Sequence, residues 1–62
     1  MDLVGRSLLI GGKPYTVISK ADWGNYYYLS SPEDDPEVTP MIRPIGVIHR
    51  AVELGAEIEL SD

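Results

Sequence analysis

Cysteine and phenylalanine are absent from these 62 residues, and histidine and tryptophan occur once each. Without cysteine there is no disulfide framework and no thiolate metal site, and His49 alone cannot supply a zinc ligand set. Positive charge is also scarce. Five Lys and Arg stand against ten Asp and Glu, a formal net charge of -5, which disfavours nonspecific attraction to DNA, RNA or anionic lipid. The first ten residues carry Asp2 and Arg6, and their longest apolar run is Leu8-Leu9-Ile10. Neither an export signal nor a membrane span is expected from that pattern, and the expectation is a soluble, cytoplasmic chain.

The length predicts a single small domain over 1–62, near the size at which burial only just offsets the entropy lost on folding. With no disulfide or metal to staple it, further buried area has to come from a partner or from a second copy of the chain. The charge is unevenly spread. Residues 1–30 hold Arg6, Lys13 and Lys20 against Asp2 and Asp22, whereas residues 31–62 hold eight acids against Arg43 and Arg50. A negative half of this kind keeps a small protein dispersed, and it also suits a basic partner.

There is no internal repeat. Ser7 to Ile10, Tyr15 to Lys20 and Tyr26 to Ser30 are short β-branched, aliphatic or aromatic segments bounded by glycine, proline, asparagine or aspartate, and they read as an antiparallel meander. Gly11-Gly12 permits positive φ in the first turn, and Gly24-Asn25 marks the second. Residues 31–40, SPEDDPEVTP, form an acidic loop broken by prolines.

The segment after that loop supports two readings. A helix over roughly 44–54 would start at Pro44, group Ile45, Ile48 and Val52, and stop at Gly55. From Val52 to Leu60, however, apolar residues alternate with Glu53, Glu57 and Glu59, the period of a half-buried strand. The strand is favoured here, because Gly46 and several β-branched residues count against a helix, and AEIEL at 56–60 is strand in both versions. The resulting fold class is mainly β: a small five-stranded SH3-like barrel or a curled antiparallel sheet. The alternative is an α+β fold with one helix near 44–54 packed on a three- or four-stranded antiparallel sheet. The likeness to SH3 domains is one of element pattern only.

Chemistry-bearing motifs are few. GRSLLIGGKP lacks both the first glycine and the Ser or Thr of a phosphate-binding loop. Glu33, Asp34, Asp35 and Glu37 do not follow the alternating ligand spacing of a calcium loop, and Pro32 and Pro36 stiffen the backbone between them. His49 and Arg50 point to opposite sides of a strand, and no serine sits in a nucleophile motif. The expectation is no catalytic residue, no metal and no cofactor.

The tyrosines remain. On a strand Tyr26 and Tyr28 share one face and Tyr27 and Leu29 the other, so if Leu29 points inward then Tyr26 and Tyr28 stand outside. Trp23 and Tyr15 would extend that outer patch. Two readings of these rings stand: core filler in a protein without phenylalanine, or anchors of an interface. The functional expectation is a small, acidic, non-enzymatic protein-interaction module. Trp23, Tyr26, Tyr28 and Tyr15 would anchor it, and Glu33, Asp34, Asp35 and Glu37 would steer it toward a basic protein. A base-stacking nucleic-acid binder and a structural or assembly subunit are the alternatives. In size and charge alone the chain is similar in general character to small inhibitors from phages and other mobile elements, some of which occlude basic grooves of host enzymes.

Overall fold

The computed structural model describes residues 2–61. Strands β1 (Ser7–Ile10), β2 (Lys13–Lys20) and β3 (Tyr26–Ser30) form the meander, followed by β4 (Met41–Pro44), helix α1 (Ile45–Leu54) and β5 (Ile58–Leu60). All pairings are antiparallel, in the order β4-β3-β2-β1-β5. The sheet is therefore mainly β and open: β4 and β5 lie at opposite edges, and α1 carries the chain between them across the inner face. The barrel form of the expectation does not hold, because the helix occupies the concavity that closure would require.

Residues 44–54 are likewise helix and not strand. Ile48 is fully buried at the centre of the inner face, with Ile45, Ala51 and Val52 packed beside it. Gly55 ends the helix in a left-handed conformation (φ 65°): its N–H reaches Val52 O at 3.3 Å and the Ala56 N–H reaches Ala51 O at 3.0 Å. That pair of bonds is a Schellman cap. Of the alternating set at 52–60, only Ile58 and Leu60 pair inward, opposite Ile10 and Leu8, while Leu54 is 67% exposed. Ala56 and Glu57 precede the strand; Glu57 bends the chain into β5 at φ 69°, and its carbonyl accepts the Gly11 N–H at 2.9 Å. Burial of Ile48 outweighs the modest β preference of the valines and isoleucines, as tertiary packing commonly does.

The core is Leu3, Leu8, Val17, Tyr27, Leu29, Ile48 and Ile58. Leu3 enters it from outside the regular elements, on a turn closed by Arg6 N–H to Leu3 O at 2.9 Å. A bulge in β2 between Val17 and Ser19 leaves Ile18 unpaired and shifts Lys20 into register with Tyr27. The β1–β2 hairpin turns through Gly11 and Gly12, both at positive φ, as a two-residue connection between right-twisted strands demands.

Candidate functional site

Tyr27 and Leu29 point inward and are buried, which places Tyr26 and Tyr28 on the outer face of β3. Tyr28 pairs with Ile42 on one side and Ser19 on the other, and Tyr26 pairs with Pro44. The connection at 21–25, closed by Ala21 N–H to Tyr26 O at 2.9 Å, carries Trp23 back over these rings. The indole lies 5.1 Å from the Tyr26 ring centroid, and its Nε1–H donates to the Tyr28 hydroxyl at 3.2 Å. Gly24 makes room for this arrangement, since a Cβ there would meet the Tyr26 ring at 3.1 Å. Trp23 nevertheless stays 65% exposed, with Ile18 at 47% and Ile42 at 37%. An exposed indole held by a stack and a hydrogen bond has little rotamer freedom left to lose on contact.

Tyr15 departs from the expected placement. It pairs with Leu8 and packs against the core, so it belongs to the inner face, where the Lys13 ammonium lies 5.5 Å from its ring centroid. Lys13, Lys20 and Arg43 share that side, in register with Ile10 and Tyr27. Among the described residues, pairing register gives the outer face no Lys or Arg, and one carboxylate, Glu59 opposite Leu9 at the far edge.

The acidic loop lies at the other end of β3. Tyr26 and Ser30 are separated by the length of the strand, about 13 Å, so the structure does not bring Trp23 and Tyr26 together with Glu33, Asp34, Asp35 and Glu37. Two proline turns in series order the loop: Asp34 N–H bonds Ser31 O at 3.1 Å across Pro32, and Val38 N–H bonds Asp35 O at 3.0 Å across Pro36. The buried Ser31 hydroxyl accepts the Glu33 N–H at 3.2 Å. Asp34 pairs with Lys13 at 2.9 Å, and that hydrogen bond raises the lysine above its ordinary 10.5.

The Gly11–Glu57 bond sets Glu57 on the opposite flank of the same hairpin. The last turn of α1, which holds Glu53 and no basic residue, leads through Gly55 to Glu57 and so lies at this end as well. Loop, hairpin and helix end thus make one negative pole, to which the helix dipole adds.

Ile18 and Ile42 also join the outer face: the first follows inward-facing Val17 at the bulge, and the second pairs with Tyr28 on a strand flanked by prolines. His49 contributes to structure, its Nε2 lying 2.9 Å from the buried Tyr27 hydroxyl. Among the described residues there is no pocket, no group of three or more side chains able to hold a metal, and no helix long and apolar enough to cross a membrane. No protein-family model, curated protein or solved structure matches the chain.

Proposed function

We propose that this chain is a non-enzymatic protein-interaction module whose acidic pole meets a basic surface on a larger protein, in the manner of an occluding inhibitor. The observation that carries the reading is the segregation of charge: Glu33, Asp34, Asp35, Glu37, Glu53 and Glu57 gather around one hairpin with Lys13 among them, while the aromatic face is almost without charge. The loop carboxylates are also pre-ordered by their two proline turns, so little is spent in fixing them on contact. The nucleic-acid alternative is less well supported, because base-stacking platforms combine their rings with flanking cations and, among the described residues, none of the strand partners of Tyr26 and Tyr28 is Lys or Arg.

The test begins with a partner captured from the native host and purified. Its association rate is then measured against the parent chain and against a Glu33→Gln, Asp35→Asn, Glu37→Gln variant that leaves the Lys13–Asp34 pair intact. Steering by exposed charge acts on the on-rate and is screened within about 8 Å at physiological salt. The variant is expected to associate at least about tenfold more slowly at low salt. An unchanged rate would reduce the loop to a solubilising tract.

A further inference from the structure

We propose that the outer face of the sheet is a self-association surface, covered in solution by the same face of a second copy of this chain. Charge selects the occupant. A chain of net charge -5 repels its own copies wherever carboxylates project, and by pairing register the strands of the outer face carry, among the described residues, only Glu59 at one edge, with Asp22 next to Trp23 in the connection. A basic partner finds little to pair with there, whereas two copies of a nearly neutral aromatic surface meet with little charge repulsion. An isologous contact lets the one patch serve twice.

The other route to a dimer, adding strand to strand at an edge, is obstructed. β4 is bounded by Pro40 and Pro44, and the Arg43 guanidinium donates to its own strand's Ile42 O at 2.8 Å, occupying an edge acceptor. β5 has only three residues, with Glu59 at its centre. Short edges, prolines and charges are the ordinary means of blocking edge pairing. Face-to-face stacking is what remains.

The areas agree with a weak but specific dimer. Trp23 at 65% exposure offers on the order of 150 Å² by itself. The molecule is a slab of 32 × 28 × 16 Å, and its broad face has a footprint of about 700 Å², just under the roughly 800 Å² per partner of a standard interface. A contact of this size is at the small end of specific interfaces, so the dimer is expected to be in measurable exchange with the monomer.

Sedimentation equilibrium of the parent chain, with the emission maximum of its single tryptophan followed over the same concentrations, tests the proposal. A dimer is expected to form with a blue shift of Trp23. Trp23→Ser and Ile42→Lys should each weaken it at least about tenfold, while Leu54→Lys on the remote face of α1 should not. Salt separates this surface from the acidic pole: going from about 0.05 to 0.5 M should tighten self-association several-fold by screening like charges, and should weaken binding to a basic protein.

A monomer mass up to about 1 mM overturns the inference. So does a dimer that survives both face variants, or one that salt dissociates. Burial of Trp23 seen only with a basic protein would assign the face to that partner instead, which also overturns it.

Discussion

The hydroxyl of Tyr27 lies 2.9 Å from Nε2 of His49, and the same oxygen accepts the Leu3 N–H at 3.3 Å. The hydroxyl thus has a partner on each side, the Leu3 amide and the His49 ring nitrogen. One buried phenol thereby ties the segment before β1 to the middle of α1. Tyr27→Phe keeps the packing but leaves the Leu3 amide and His49 without this partner, and should cost about 1 to 3 kcal/mol in urea unfolding. Tyr27→Ser also removes the ring and should cost roughly 3 to 5 kcal/mol. A Tyr27→Phe variant as stable as the parent would mean that the hydrogen bonds contribute nothing beyond the ring.

The neighbours of Tyr27 should behave differently. Tyr26→Ser and Tyr28→Ser remove rings from the outer face, where neither is buried, and each is expected to cost about 1 kcal/mol or less. Thermal melts of the three serine variants order the two faces of β3 directly. Unfolding of the Tyr26 or Tyr28 variant with survival of the Tyr27 variant would reverse the assignment.

The two glycines of α1 predict opposite signs. Gly46 is inside the helix with open space where a Cβ would stand, so Gly46→Ala should stabilise by roughly 0.5 to 1 kcal/mol. Gly55 has the same open space but sits at φ 65°, so Gly55→Ala should destabilise by about 1 kcal/mol. Paired denaturant titrations would show the contrast, and matching signs would refute the cap.

Two exposed charges set a pH dependence at the extremes. Asp34 raises Lys13 above 10.5, so that pair's contribution is complete below 10.5 and is lost as pH rises through the raised value. The Val4 N–H, with Lys20 in support, holds Asp2 below 3.8. Its contribution is complete above 3.8 and is lost as pH falls through the lowered value. Melting midpoints of the parent and Lys13→Met should differ at neutral pH and converge as pH rises through the raised value of Lys13. Asp2→Asn should converge with the parent in acid instead. A gap that stays constant with pH would remove the electrostatic explanation.

The meander was legible because its signals are local. Gly11-Gly12 fixes a hairpin, and Tyr27 and Leu29 two apart fix which tyrosines face out. What decides residues 44–60 is not local: Val52 to Leu60 alternates as well as any strand, and only the fit of Ile48 beneath the sheet and the left-handed Gly55 show that the first part is helix. Leu3 was illegible for the same reason, since no periodicity surrounds it and its burial depends on Tyr27, far along the chain. The acidic residues were readable as a loop, but their distance from Trp23 follows from the direction of β3. Lys20 turns to the inner face, opposite Tyr27, only because a bulge breaks the pairing of β2.

The shortness of β5 decides where the fold comes apart first. Three residues hold the far side of β1, and residues 8 and 60 must find one another across nearly the whole described chain. Such a distant pairing forms late and detaches early, because the closure entropy of the long intervening segment weighs against it. Amide hydrogens of Ile58–Leu60 should accordingly exchange with solvent faster than those of β2 and β3. While the arm is away, Ser7 O and the Gly11 N–H lose the partners that Ser61 and Glu57 supply and turn to water, so this edge is expected to fray while the β2–β3 ladder still stands.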